Sequence, residues 1–328
     1  MATFPGYALT GSAGGAGLLV PRSSSPYVRG KLADDTGIEV LFIDLDGTAL
    51  TDGHVLPRET LGSIAKAKSE GVYAVLTSGR APGAIMPFAR EIGIQSPLYI
   101  AHHGARIERD SQILSDEWVT PIDESSAVVA MNAVKSLSTE LGLEGKLNLL
   151  YFRGNTVMHR SSQLMEEYQR RNPRLEYVHE PIDAGLSFYT VHGPADKLVV
   201  LADTPDTANI LKRKLEGRIS GENLQLVLSN DHYIEALNRD ANKGTAAVKV
   251  LRYLRRTSTE AIAFGDGASD LTIPRYAQVP LYLVANASDS VKREARQMNN
   301  VTLLSDTNQN DAVGKAIEQM VLKQSRLQ

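Results

Sequence analysis

Apolar residues along the 328-residue chain gather in short runs that end in polar clusters. The first run, Ile38 with Val40, Leu41, Phe42 and Ile43, stops at Asp44. A short apolar run closed by turn residues predicts a buried strand of a parallel sheet. Leu61, Ile64, Ala65 and Ala67 then recur at helical spacing, and Gly71 marks the stop. Residues 72–76 predict a second strand, followed at once by Thr77-Ser78-Gly79-Arg80, and residues 98–101 predict a third. Strand and helix in alternation predict a doubly wound, Rossmann-like α/β domain with a parallel sheet.

The pattern changes in the middle. Helical spacing over residues 127–141 is mixed with strand-like pieces at 186–191 and 197–202. This mixture predicts a separate α+β domain inserted into the first. The α/β alternation resumes near Lys243, with a helix carrying Ala246, Val250, Leu251 and Leu254 and a strand at 261–264. That strand runs into Gly265-Asp266-Gly267-Ala268-Ser269-Asp270; a further strand is predicted at 281–284 and a final helix at 311–322. The predicted organisation is a core of residues 37–120 and 233–328, an insertion of residues 121–232, and a disordered tail of residues 1–36.

Composition bears mainly on that tail. Residues 11–17 are rich in Gly, Ala and Ser, and Ser23-Ser24-Ser25-Pro26 follows. Such a segment buries too little to offset the entropy of ordering it. No acidic residue precedes Asp34, which is compatible with an organelle transit peptide, whereas the apolar residues 18–20 are too few for a secretory core. Leu19-Val20-Pro21-Arg22 also resembles a thrombin cleavage sequence. The expected location is the cytoplasm. Elsewhere, a net charge of -3 gives no global positive field to attract nucleic acid or an anionic membrane, and Arg252, Arg255 and Arg256 read as a solvated helix face. No apolar run reaches the length of a membrane span. The absence of cysteine excludes disulfides, thiolate metal sites and a cysteine nucleophile. Oligomeric state is not legible in the sequence.

Chemistry concentrates just after predicted strands, where open α/β sheets bind ligands. Asp44 and Asp46 follow the first strand, Ser78 the second, and Asp266 and Asp270 a later one. Two close carboxylates can divide labour, one staying ionised while the other, with a raised pKa, carries a proton. Gly47 admits close approach to the backbone. The competing reading is a solvated Asp/Gly turn. Ser78, Gly79 and Arg80 form a polar loop entering a helix, which suits a phosphate oxygen or a plain N-cap. Lys243 stands before Gly244 at a helix start; taken alone, it reads first as a surface lysine. Asp266 and Asp270 supply oxygen ligands of the kind magnesium takes. Calcium competes, but Gly47 comes too early and Thr48 stands where an EF-hand loop wants its third ligand. A Walker A sequence is absent, Gly265-Asp266-Gly267 lacks the third glycine of a dinucleotide fingerprint, and His102-His103 reads as a strand-end turn before a metal site.

Together these segments resemble the haloacid dehalogenase superfamily, specifically its Cof-type (class IIB) sugar-phosphate phosphatases. The family's Asp-x-Asp-Gly-Thr matches at 44–48, its second motif at Ser78, its Lys-Gly at Lys243-Gly244, and its Gly-Asp-Gly-x-Asn-Asp at 265–270 with Ser269 in place of Asn. His103-Gly104-Ala105 resembles the Asn-Gly-Ala turn and Asn286-Ala287 the later Asn-Ala motif. The resemblance spans about residues 38–322 and implies a Mg²⁺-dependent phosphatase acting on a small phosphorylated metabolite, with a sugar phosphate expected. It implies Asp44 as nucleophile, forming an aspartyl-phosphate, and Asp46 as general acid and base. Ser78, Gly79 and Lys243 would hold the phosphate. The metal would sit on Asp44, the Asp46 carbonyl and Asp266, with Asp270, Ser269 and Asn286 in support. The insertion resembles the family's cap domain, with Arg153, His159, Arg160 and Glu180 as candidate readers of the leaving group. A phosphotransferase such as a phosphohexomutase, a non-catalytic phosphate-binding protein and a phospho-acceptor receiver module are the alternatives; a receiver is far shorter and lacks an insertion.

Overall fold

The computed structural model describes residues 37–160, 162–180, 186–229 and 231–322. The expected tail, residues 1–36, lies outside them. In chain order the strands and helices are β1 Val40–Asp44, α1 Arg58–Ser69, β2 Tyr73–Thr77, α2 Pro82–Glu91, β3 Leu98–Ala101, β4 Arg106–Arg109, α3 Glu124–Glu140, β5 Leu147–Arg153, β6 Thr156–His159, α4 Gln163–Arg171, β7 Glu176–His179, α5 Leu186–His192, β8 Lys197–Ala202, α6 Pro205–Arg218, β9 Leu224–Ser229, β10 Tyr233–Asn238, α7 Lys243–Leu254, β11 Ala261–Gly265, β12 Leu281–Leu283, α8 Asp289–Ala295, β13 Val301–Leu303 and α9 Ala312–Ile317. No helix among the described residues is long and apolar enough to cross a membrane.

Seven strands form one sheet in the order β13-β12-β11-β1-β2-β3-β4. All its pairs are parallel except β3 with β4. Alternate residues of β1 leave on opposite faces. Leu41 and Ile43 pack with Ile64 of α1, Ile85 of α2 and Ile317 of α9. Val40 and Phe42 pack with Ala246 and Val250 of α7 on the other face. A strand buried on both faces must be apolar until it ends, and β1 is apolar from Val40 to Ile43, before Asp44 closes it. This is the expected Rossmann-like core. Its register sets the site: Asp44 pairs with Thr77 and Ile43 with Phe264. The residues just past β1, β2 and β11 therefore share one sheet edge.

The second sheet, β7-β6-β5-β8-β10-β9, is built from residues between 147 and 238 and is antiparallel except for β6 with β7. One face carries α3 and α6, packing Ala130, Val134, Leu211 and Leu215 on Leu198, Val200 and Ile234. The other carries α4: Met165 and Tyr168 pack on Phe152, Val199 and Tyr233, and Ala81 of the first unit joins this cluster. That second face roofs the edge where Asp44 stands.

Residues 186–191 depart from expectation: they lie in helix α5, not in a strand. Tyr189 packs against the α3 side of the insertion's core and its hydroxyl donates to the Ile122 carbonyl at 3.3 Å. A six-residue apolar piece does not distinguish a strand from one buried helical stripe; the neighbouring α3 decides it.

Candidate active site

β1 delivers Asp44 buried at the sheet edge, and the loop that follows carries Thr48. Gly47, at φ +77°, turns the loop so tightly that a Cβ there would lie 2.5 Å from Asp266 Oδ2. Only glycine accepts both the turn and the approach. Thr48 Oγ1 lies within hydrogen-bond distance of Asp44 Oδ2, at 2.8 Å, and of Asp266 Oδ1, at 3.0 Å. A single hydroxyl thus lies against two carboxylates far apart in sequence, Asp44 four residues back and Asp266 218 residues on.

Lys243 begins α7, whose N-cap Asn242 accepts from Thr245 N–H. Its ammonium is buried and donates to Asp44 Oδ1 at 2.5 Å and Asp270 Oδ1 at 2.7 Å. It is no surface lysine. Burial would lower the Lys243 pKa, but the charges of Asp270 and Asp44 outweigh it and hold the ammonium charged. Asp270 Oδ2 accepts the Asp266 and Gly267 backbone N–H groups, at 3.1 and 2.9 Å. Both oxygens of Asp270 are thus engaged, and the residue buttresses the site. Asn286 is a second buttress, donating to the Gly47 carbonyl at 2.7 Å. Ser269 lines the cavity near Asp270.

Asp44, Asp266 and Asp270 offer oxygens within 4.8 Å of one another. Among the described residues the one ammonium of Lys243 faces these three carboxylates, which carry surplus negative charge when ionised. Burial, with the charges of Asp270 and Asp266, pushes the Asp44 carboxyl well up. Burial and Asp270 push Asp266 up to about 6. An all-oxygen donor set with surplus negative charge fits a hard divalent cation such as Mg²⁺, held by Asp44 and Asp266.

Asp46 runs against expectation. Burial would raise its carboxyl, but Arg80 and His54 together hold it below the usual range. Arg80 grips it with Nε at 2.7 Å and Nη2 at 2.5 Å, and His54 Nδ1 lies 3.2 Å from Oδ1. Of the two carboxylates, the protein's own groups therefore raise Asp44 and lower Asp46, the reverse of the division of labour expected from sequence. The physical reason is Arg80, whose bidentate fork stabilises the ionised form. Arg80 and Thr48 were legible as motif neighbours, but their partners were not.

Ser78 is buried just past β2; its hydroxyl accepts the Arg80 N–H at 3.1 Å. Gly79 lies beside His103, which with His102 forms a strand-end turn at φ 56° and 49°. His102 is buried, its Nε2 is 2.9 Å from the Gly154 carbonyl, and burial holds its pKa well below normal. Neither histidine joins the carboxylate cluster found among the described residues.

A cavity of about 830 Å³ opens on these groups. Its floor is Asp44, Asp46, Ser78, Gly79, Arg80, Lys243 and Asp266; its roof is Phe152, Tyr168, Arg171, Asn172, Arg174, Lys197, Tyr233 and Glu235. Arg153, His159, Arg160 and Glu180, expected there from sequence, do not line it. Arg153 Nη1 donates to the His192 carbonyl at 2.5 Å, His159 Nδ1 is 2.9 Å from the Arg160 carbonyl, and Glu180 meets His192 Nε2 at 2.9 Å. A usable signal was the charged Lys197 and Glu235 within otherwise apolar strands.

The sequence profile described as haloacid dehalogenase-like hydrolase matches residues 41–317. The chain is 24% identical over 289 residues to the Bacillus subtilis 5-amino-6-(5-phospho-D-ribitylamino)uracil phosphatase YcsE, covering 88% of this chain and 98% of that one. It is 25% identical over 298 residues to the Bacillus subtilis phosphatase YwpJ, covering 82% and 96%. Among solved structures, a haloacid dehalogenase-like hydrolase from Bacteroides thetaiotaomicron superposes with a TM-score of 0.69 at 21% identity, covering 86% of this chain and 99% of that one. A subclass IIB sugar phosphatase of the same superfamily superposes at 0.65 and 15% identity, covering 87% and 99%.

Proposed function

We propose, from the premise that the chain belongs to the haloacid dehalogenase-like hydrolase family and is one of its phosphatases, that it is a Mg²⁺-dependent hydrolase of a small, hydroxyl-rich phosphate ester, with Asp44 as nucleophile. The observation that carries this reading is the placement of Asp44: buried at the open edge of the sheet, one oxygen on Lys243 and the other on Thr48, facing the cavity. Lys243 and the Ser78 hydroxyl would bind phosphoryl oxygens, and attack by an Asp44 oxygen on phosphorus would expel the alcohol and leave an aspartyl-phosphate. Asp46 would give the leaving oxygen a proton and take one from the water that cleaves the intermediate. Because Arg80 holds Asp46 ionised, substrate binding must loosen that clamp before the proton can be carried. A bound Mg²⁺, on Asp44, Asp266 and the Asp46 carbonyl, would offset the charge shared by these carboxylates and the phosphate.

The roof supports a polyol or sugar as the alcohol. Phe152, Tyr168 and Tyr233 offer ring surface to C–H faces, and Asn172, Arg171 and Arg174 offer polar groups to hydroxyls. The relative YcsE, named for a phosphoribityl substrate, is consistent with such a leaving group. The test is release of free phosphate from a panel of phosphorylated sugars, polyols and nucleotides, with Mg²⁺ and with EDTA, using Asp44→Asn as control. No Mg²⁺-dependent release from any ester by the wild type, or equal release by Asp44→Asn, would remove the proposal.

A further inference from the structure

We infer that Lys197, reaching down from the roof, is a positioning residue for the catalytic loop 78–80: its ammonium fixes the peptide that presents Ser78 and Arg80, and it does so only when roof and floor are together. The inference rests on the phosphatase reading above and deepens it.

Lys197 opens β8. Strand alternation sends Leu198 and Val200 to the helices α3 and α6, and Lys197 to the face over the cavity. It is 4% exposed, and burying an ammonium costs several kcal/mol unless it is paired. Its partner is Glu235 of β10, on the same face, whose other oxygen accepts from Ser229 Oγ at 2.5 Å. Burial would raise the Glu235 carboxyl, but the Lys197 charge, helped by His103, pulls it far down and keeps the carboxylate ionised. The ammonium also lies 5.0 Å from the Phe152 ring centroid.

A pair satisfied inside the roof needs nothing from the floor. Yet Lys197 Nζ also donates to the Gly79 carbonyl at 3.0 Å, across 118 positions of sequence. Gly79 has no side chain to grip, and cannot acquire one: a Cβ there would fall 2.3 Å from His103 Nε2. Its carbonyl is therefore the available handle. That carbonyl and the Arg80 N–H are two ends of one planar peptide unit. One end is held by Lys197; the other donates to Ser78 Oγ at 3.1 Å. Fixing the plane has two consequences. Ser78 Oγ, already accepting, keeps its own proton free to donate to a phosphoryl oxygen. Arg80 leaves the same peptide in the direction that meets Asp46. Separation of roof from floor breaks the Lys197–Gly79 bond and releases that plane, so the loop is fully organised only around an enclosed substrate. Lysine has three donors and two are engaged, so the rival role is direct contact between the third and the leaving group.

The experiment uses the full chain with Mg²⁺. Lys197→Met/Glu235→Gln removes both charges and leaves no unpaired one; Lys197→Arg keeps the donor. Each is assayed on the best ester from the panel and on p-nitrophenyl phosphate, which has no hydroxyls to read, and amide hydrogen exchange over residues 78–82 is followed without substrate. Expected are a fall in kcat of ten-fold or more on both esters, KM within three-fold, faster exchange over 78–82, and partial recovery of kcat in Lys197→Arg. Two results overturn the inference: unchanged exchange over 78–82, or a normal kcat on p-nitrophenyl phosphate with KM raised only for the best ester. If the wild type hydrolyses no ester, the phosphatase reading fails by itself, and the exchange comparison still decides whether Lys197 fixes the loop.

Discussion

Lys243 stands between two carboxylates that the sequence separates widely, donating to Asp44 at 2.5 Å and to Asp270 at 2.7 Å. Removing the cation from a buried ion cluster leaves its carboxylates unpaired at a cost of about 3–5 kcal/mol. Lys243→Met should lose roughly that much stability by denaturant unfolding, together with at least about a hundred-fold of kcat as phosphoryl stabilisation is lost.

Asp44→Asn should separate activity from stability. The raised Asp44 carboxyl marks an ionised form that burial disfavours, so a neutral isostere relieves the metal-free fold. Phosphatase activity is expected to fall by more than about a thousand-fold. The melting temperature in EDTA should stay level or rise; a clear drop would contradict the electrostatic account.

Thr48→Val removes one hydroxyl from two carboxylates. The hydroxyl has one proton to donate, and a hydrogen bond to a charged group contributes roughly 1.5–3 kcal/mol, so kcat/KM should fall about ten-fold or more. Thr48→Ser restores the donor and should return most of that loss.

Arg80→Gln tests the Asp46 clamp. Arg80 holds the Asp46 carboxyl down, so its removal lets that pKa rise. An acid catalyst works only while protonated, and its rate falls as pH passes upward through its pKa. The falling limb of kcat/KM against pH should therefore move to higher pH in Arg80→Gln, whatever happens to its height.

Metal should stabilise the fold in a pH-dependent way. Asp266 is pushed up to about 6 from 3.8, so its folded form binds protons more strongly than its unfolded form. The resulting stability is present at low pH and is lost as pH rises through about 6. Mg²⁺ competes with that proton and favours the ionised cluster. The rise in melting temperature on adding Mg²⁺ should therefore be larger at about pH 7.5 than at about pH 5, a comparison made by calorimetry or dye-based melts.

Much of the floor was legible from sequence because parallel strands carry their own signal. Each of β1, β2 and β11 is an apolar run followed at once by Asp44, Ser78 or Asp266. The roof was not legible to the same degree. Arg153 and His159 are as polar as Lys197 and Glu235; Arg153 leaves its strand on the face opposite Phe152, while His159, opposite Leu150, shares the face of Lys197 and is set apart only by its place along the sheet. Helix α5 was misread for a related reason: its apolar piece is too short for either period to declare itself.

By itself the sequence determined which residues end the strands, and therefore which carboxylates and hydroxyl reach one sheet edge, because a strand buried on both faces must be apolar until it leaves the core; the place of Lys243 came from the fold. Tertiary structure alone decided how those groups divide their charge. Arg80 on Asp46, Lys243 between Asp44 and Asp270, and Lys197 on Gly79 are contacts across 27 to 199 positions. Electrostatic energy depends on distance and burial in space, and neither is written in the spacing of residues along the chain.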